Sequence, residues 1–312
     1  MAYIEINDVS KVYQRGGEPF HALSHVSLEI ERGEFICLLG PSGCGKTTLL
    51  NTLAGFEHPD EGQVLIGGEK VKDPVPNRVT IFQHYGLLPW QTVEKNVMLG
   101  LLAKKMPKEQ ARAAAAKYID LVGLAGFEHV RPAQLSGGMQ QRVSIARGLA
   151  VQPDVLFMDE PFAALDAITR LKMQDDIHRI AEEEGVTVVF VTHDIEEAVA
   201  LADRIVVLTP NPGRVKEIIK VELGPDRLRT ADDFLAVRDH VFDVFGMKPN
   251  WNVEYVIWFF GGALFERPSF ALGALLEVWS RLADLLGKSI ADPYTFQHEI
   301  RLCDSRHTNC CA

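Results

Sequence analysis

Hydrophobic positions along this chain switch between two periods, and the switches mark its elements. Near the start, Ile4 and Ile6 alternate with polar neighbours, as do Val26, Leu28 and Ile30, which predicts strands before a turn at Arg32-Gly33-Glu34. The unbroken apolar run Phe35–Leu39 predicts a buried strand, and residues 48–54 predict a helix that stops at Gly55. Residues 62–68 read as a short strand and turn, and residues 79–82 as a strand ending at Gln83. Helical spacing then takes over at 92–102 and at Lys108–Leu121, the second holding an alanine run, and again from Ser136 to Ala150. Apolar runs at 155–158 and 186–191 predict buried parallel strands, with another at Arg204–Leu208. A turn at Asn211-Pro212-Gly213 and a helix over 231–245 complete the pattern. Strands alternating with helices predict an α/β fold, preceded by β structure and interrupted by a helical block.

The candidate chemistry sits where these elements meet. Gly40, Pro41, Ser42, Gly43, Cys44, Gly45, Lys46 and Thr47 spell G-x-x-x-x-G-K-[ST] between a predicted strand and a helix that continues through Thr48. Backbone N–H groups of such a loop turn inward around phosphate, and the helix N-terminus adds its positive end. Lys46 reaches the β- and γ-phosphates and the Thr47 hydroxyl holds magnesium. A chance match in a glycine-rich turn would lack this strand–loop–helix context. Cys44, at a helix start and two residues from Lys46, is expected to be a reactive thiolate protected by MgATP.

Leu135, Ser136, Gly137, Gly138, Met139 and Gln140 form a second glycine-rich helix start, which on its own is more often a capped turn than an anion site. The strand at 155–158 ends in Asp159 and Glu160, at the carboxyl edge where open α/β sheets bind ligands. Asp159 suits a magnesium shell, and Glu160, on the opposite side of the strand, suits a base for an attacking water. His193 ends the next strand and is a plausible γ-phosphate contact, although a lone histidine is usually structural. Asp166 follows in Ala164-Leu165-Asp166. Tyr13 reads equally well as an adenine-stacking ring or as an ordinary strand aromatic.

Charge and composition narrow the partners. With 42 carboxylates against 32 Lys plus Arg the net charge is −10, which argues against a nucleic-acid-binding surface. The apolar stretch from Tyr255 to Phe265 is far short of the roughly 20 residues of a membrane span, and the first residues do not read as a secretory signal. The spacing of the 5 cysteines suggests no disulfide framework, so a reducing cytoplasm fits.

Taken together and in order, these elements resemble the ATP-binding cassette subunits of membrane transporters over about residues 1–250. The phosphate loop corresponds to Walker A, Gln83 to the Q-loop, residues 135–140 to the family signature, Asp159 and Glu160 to Walker B with its adjoining base, Ala164-Leu165-Asp166 to the D-loop, and His193 to the switch histidine. The chain departs from the commonest pattern at Met139, where glutamine is usual, and at Ala163-Ala164, where Ser or Gly usually precedes the Ala.

The resemblance implies a P-loop NTPase with a RecA-like core (about 1–83 and 155–250), an antiparallel β subdomain and an inserted helical signature subdomain (about 84–154). It implies an ATPase using ATP and Mg2+, with magnesium held by Thr47, Gln83 and Asp159, adenine stacked on Tyr13, and Glu160 and His193 catalytic. Its signature acts in trans, so a head-to-tail dimer with a second copy is expected. Other implied partners are integral membrane permease subunits and, indirectly, an extracytoplasmic solute-binding protein, which places the chain on the cytoplasmic face of the membrane.

Leu87-Leu88-Pro89-Trp90, the Asp159–Arg170 stretch and Pro212-Gly213-Arg214-Val215 resemble importers of nitrate, sulfonates or taurine. Tyr85, Leu87, Leu88 and Trp90 are expected to line a groove for a cytoplasmic helix of the permease. The rival is a soluble cassette ATPase acting on ribosomes or DNA, but such chains usually carry two cassettes or a long coiled coil. An inactive binding subunit is disfavoured by the intact Lys46, Asp159, Glu160 and His193. Residues 251–312, with Trp251, Trp258, Trp279, Cys303, Cys310 and Cys311, differ in composition and read as a tail of unknown role. Docking and membrane-surface roles are weighed there against a read-through tail without function, which is preferred.

Overall fold

The structure, a computed structural model, describes residues 2–224 and 227–246, all within one compact unit spanning 1–248. The reading of the 251–312 tail lies outside the described residues.

Alternation at the start of the chain builds a long hairpin, β1 (Ile4–Arg15) and β2 (Glu18–Ile30), whose inward residues Ile4, Ile6, Val26, Leu28 and Ile30 are buried. The all-buried β3 (Phe35–Leu39) follows, then α1 (Lys46–Ala54), which ends on Gly55 in the left-handed conformation. Two strands, β4 (Glu61–Ile66) and β5 (Glu69–Lys70), return to the hairpin and complete an antiparallel sheet of order β2-β1-β4-β5. After β6 (Arg78–Ile81) come the helices α2 (Val93–Ala103), α3 (Lys108–Leu121) and α4 (Gly137–Ala150), which pack on one another. Thr92 and Ser136 cap α2 and α4 through their hydroxyls, which is why these helices begin where they do.

The remaining elements are β7 (Val155–Asp159), α5 (Ala167–Glu184), β8 (Thr187–Thr192), α6 (Ile195–Leu201), β9 (Arg204–Leu208), β10 (Val215–Lys220) and α7 (Asp232–Val244). They give a second sheet of order β10-β9-β3-β8-β7-β6, parallel except for β10 at its edge. Because successive strand residues point to opposite faces, β3 belongs to two cores. Ile36 and Leu38 pack with α1 and the antiparallel sheet, whereas Cys37 and Leu39 pack with the helices on the other side. The apolar pattern does not foresee α5, α6 or β10. The last is an edge strand with one buried residue, and α5 carries its narrow apolar stripe of Met173, Ile177, Ile180 and Ala181 among charges.

The base of the parallel sheet holds a titratable group away from the candidate site. His178 of α5 lies against Phe35 with ring centroids 6.0 Å apart and 26° between planes. Burial, and then the nearby Arg227, hold its pKa below the ordinary histidine value, with Asp203, Glu182 and Asp175 opposing. A histidine with a depressed folded pKa contributes stability above its unfolded value, near 6.5, and loses it as pH falls through the folded pKa. The urea midpoint of the wild type is therefore expected to drop between pH 7.5 and 5.5 by more than that of His178→Leu; equal drops would exclude His178 as the cause.

Candidate nucleotide site

The strand that belongs to both cores delivers the phosphate loop. β3 ends at Leu39, the loop runs over 40–45, and α1 begins at Lys46. Gly45 has φ 93°, and a Cβ there would lie 2.6 Å from the Ala22 carbonyl oxygen of β2. A Cβ on Gly213 would meet the carbonyls of both Cys44 and Ala22, while Gly213 N–H donates to Ala22 O at 3.1 Å. Three backbones meet here with no room for a side chain. Pro41, Ser42, Gly43 and Thr47 are exposed around the loop, and Thr48 is half-buried.

Lys46 is buried, its ammonium donating to the carbonyls of Gly40 (2.6 Å) and Pro41 (3.1 Å). The Thr47 hydroxyl donates to Asp159 at 3.1 Å from the end of β7. Burial pushes the Asp159 carboxyl above its usual range, with the Thr47 hydrogen bond opposing and Glu160 adding to the rise. Hydroxyl and carboxylate oxygens are hard donors, so this pair fits magnesium better than a thiophilic metal. Gln83, the third expected ligand, is exposed just beyond β6.

Cys44 overturns one expectation. Its thiol is only 1% exposed and turns toward Gly40 inside the loop. Burial raises its pKa; Lys46 and backbone N–H groups work the other way but do not win. The sequence places a thiol at a helix start beside a lysine, both of which favour thiolate, but desolvation by packing outweighs them. Cys44 fits as a small buried side chain, not as a reactive nucleophile.

Glu160 stands one residue past β7 with φ 46°, a left-handed conformation that is uncommon for a residue with a Cβ and is found disproportionately at functional positions. Its N–H donates to the Val191 carbonyl at 3.0 Å, and its carboxylate lies 3.1 Å from Nδ1 of His193, just past the end of β8. The side chains of His193 and Glu160 are 62% and 21% exposed, so the pair faces the solvent side of the sheet edge. Asp166 caps α5 by accepting from Thr169 N–H at 3.0 Å, which holds its carboxyl below the usual range. Tyr13 is half-buried and pairs in register with Phe20, on the hairpin whose Ala22 abuts the loop.

The second glycine-rich start forms as a helix cap. Ser136 is exposed and accepts from Met139 N–H at 3.3 Å, Gln140 donates to the Leu135 carbonyl at 3.2 Å, and Leu135 is buried. Gly137 and Gly138 pass close to the Tyr85 hydroxyl and the Ala164 carbonyl, and Met139 packs against the helical core.

Two residues that sequence reasoning passed over organise the stretch after Gln83. Arg147 of α4, half-buried, donates to the carbonyls of Gly86 (2.7 Å) and Tyr85 (3.1 Å). Asn96 is fully buried and grips the stretch from Leu88 to Thr92 through both its oxygen and its nitrogen. Neither sits in a short motif; a buried Asn in an apolar helix is the one signal available.

A phosphate-type loop beside a hydroxyl–carboxylate pair and a glutamate–histidine pair, all at one sheet edge, defines a P-loop nucleoside triphosphatase with an antiparallel β subdomain and a helical insert. The comparisons with known proteins agree: residues 23–163 match the profile of the family described as ABC transporter, and the chain belongs to that family. It is 49% identical over 241 residues to an uncharacterized ABC transporter ATP-binding protein of Methanocaldococcus jannaschii, covering 77% of this chain and 90% of that one. It is 43% identical to the bicarbonate transport ATP-binding protein CmpD of Synechocystis sp., covering 78% and 88% of the two chains. It is also 47% identical to the bicarbonate transport ATP-binding protein CmpC of Synechococcus elongatus, covering 73% of this chain but only 35% of that protein. Among solved structures, a dimeric post-hydrolysis state of the ATP-binding cassette MJ0796 bound to ADP and Pi superposes with a TM-score of 0.66 at 36% identity, over 71% of this chain and all (100%) of that one. The chain is accordingly an ATPase that uses ATP with Mg2+.

Proposed function

We propose that this chain drives uptake of a small anion, as the ATP-hydrolysing subunit of an importer whose permease is a separate membrane protein. The observation that carries the reading is the identity, 43% to CmpD and 47% to CmpC, with subunits named for transport of bicarbonate, itself a small anion. Nitrate, sulfonates and taurine, whose sulfonate group carries a negative charge, are the other candidates. The dimeric MJ0796 cassette and cbiO1 of Clostridium perfringens, described as part of a transporter complex, support assembly with a second copy and with membrane subunits. An extracytoplasmic solute-binding protein and a place on the cytoplasmic face complete the proposed system. No helix among the described residues is long and apolar enough to cross a membrane.

In this reading residues 1–250 form the cassette, with the core at about 1–83 and 155–250 and the helical subdomain at about 84–154. Residues 40–48 hold the phosphates, Tyr13 stacks on adenine, and Thr47, Gln83 and Asp159 hold magnesium, which neutralises phosphate charge when bound. Glu160 takes the proton of the attacking water, and His193 steadies the γ-phosphate. Residues 135–140 act on the nucleotide of the second copy, and Asp166 belongs to the D-loop. Deleting the gene in its host is expected to lower uptake of one among bicarbonate, nitrate, a sulfonate or taurine; unchanged uptake of all four overturns the reading.

Docking carries its own test. Trp90 is 65% exposed on a stretch that Asn96 holds in place, so it is a surface anchor and not a core residue. Trp90→Ala is expected to reduce recovery of permease with the tagged chain from detergent-solubilised membranes, while leaving ATP affinity within about twofold, because Trp90 lies outside the phosphate loop. Undiminished recovery excludes Trp90 from the docking surface.

A further inference from the structure

Glu197 is a buried carboxylate, 7% exposed, that none of the roles above uses. It lies on α6, and both of its oxygens are engaged. Oε2 accepts from the Thr192 hydroxyl at 2.7 Å, and Oε1 accepts from the Gln174 amide of α5 at 3.1 Å. The same Thr192 oxygen accepts from Asp194 N–H at 3.0 Å, and the Asp194 carboxylate accepts from the N–H groups of Glu196 (2.9 Å) and Glu197 (3.2 Å). His193 lies between Thr192 and Asp194. Both of its neighbours are thus tied to one hydroxyl, and that hydroxyl is held by Glu197.

The other side of the carboxylate reaches toward the D-loop. Arg170, in the first turn of α5, donates to the Leu165 carbonyl at 3.2 Å. Its Nε is buried without a hydrogen-bond partner and lies 3.9 Å from Oε1 of Glu197, about 1 Å too far for a hydrogen bond. Gln174 is oriented in turn by Arg229, which donates to its amide oxygen and leaves the NH2 facing Glu197.

We propose that Glu197 is a positioning residue for His193: it fixes the backbone on both sides of the imidazole, and its ion pair with Arg170 at 3.9 Å sets that backbone beside the D-loop. Only a carboxylate can accept on both sides. An amide at this place must aim its NH2 either at the donors Gln174 and Arg170 or at the Thr192 hydroxyl, which would then have to turn around. Burial pushes the Glu197 carboxyl above its usual range, with the Thr192 hydroxyl the strongest opposing group. The site is therefore built around a group that packing alone disfavours, as expected where a polar contact serves position and not stability. The proposal rests on the assignment of His193 to the hydrolytic site.

The test compares full-length wild type with Glu197→Gln, Thr192→Val and His193→Ala in steady-state MgATP hydrolysis. It also follows the His193 imidazole Cε1–H resonance, identified by its loss in His193→Ala. Glu197→Gln keeps the shape, and removing a charge that burial disfavours offsets the mismatched amide, so its urea midpoint is expected to stay near the wild-type value. The expected result is a kcat at least about tenfold lower for Glu197→Gln and Thr192→Val, with KM for ATP within about twofold and the His193 resonance shifted, since small misplacements of catalytic groups carry losses of this order. A wild-type kcat in Glu197→Gln, or an unmoved His193 resonance, overturns the proposal. Loss of kcat together with a lowered urea midpoint, while Thr192→Val keeps wild-type turnover, also overturns it by showing a structural role. Full activity in His193→Ala removes the site assignment and the proposal with it. Loss in His193→Ala with none in Glu197→Gln removes the positioning role alone.

Discussion

Glu160→Gln is expected to bind MgATP and to hydrolyse it about 10²- to 10⁴-fold more slowly, the range usual for removing a general base. The amide keeps the size and shape of the side chain, so the unusual backbone at φ 46° and the hydrogen bond to Val191 are retained. What is lost is the basic oxygen that lies 3.1 Å from His193. If the nucleotide is sandwiched between two copies, a protein that binds but does not cleave accumulates in the closed pair, because ligand bound at an interface stabilises that interface. Size-exclusion chromatography in MgATP should then show a dimer for Glu160→Gln and less dimer for the wild type. Wild-type turnover in Glu160→Gln would remove the glutamate from the base role. A variant that stays monomeric in MgATP, with or without its permease, would count against the shared site.

The second large effect is a recovery. Lys46→Ala should abolish turnover because it removes the buried ammonium held at the mouth of the phosphate loop. Ser136→Arg should abolish it for a different reason. Ser136 is exposed at the start of α4, so an arginine there leaves the core untouched but blocks a partner from closing on that surface. In a head-to-tail pair, mixing the two dead proteins creates one composite site with both halves intact and one with both broken. Random pairing with independent sites predicts recovery of roughly a quarter of wild-type activity, since half the dimers are mixed and each has one good site of two. No recovery in mixed dimers demonstrated by differential tagging would mean either that the signature lies outside the partner's nucleotide site or that the two sites fire only together.

Much of this was legible in residue order because it depends on local chemistry. The phosphate loop announces itself through a strand, a spacing and a helix, and Lys108–Leu121 and Arg204–Leu208 form with the bounds their patterns predict. What was not legible depends on partners distant in sequence. Cys44 has the neighbours of a reactive thiol, and only folding reveals that it is sealed from water. α5 opens with the exposed Ile168 and Leu171, so its apolar signal begins on the wrong face and its buried stripe is thin. Glu197 looks like one of two adjacent glutamates at a helix start, and nothing local separates it from the exposed Glu196. Its partner Thr192 lies five residues back, but Gln174 comes from α5, which tertiary structure alone brings near.

The meeting of Ala22, Gly45 and Gly213 limits how this protein can vary. Three stretches widely separated along the chain are spaced there by the thickness of bare backbone, and a single methyl group at Gly45 already falls 2.6 Å from the Ala22 oxygen. Most surfaces of a protein can be tuned by degrees, a methylene at a time. Here no smaller step exists, because the residue with the least side chain is already in use. Variation that reshapes the phosphate loop must therefore enter through its exposed residues, Pro41, Ser42, Gly43 and Thr47. The seam between the hairpin and the phosphate loop acts as a fixed datum from which the rest of the pocket is measured.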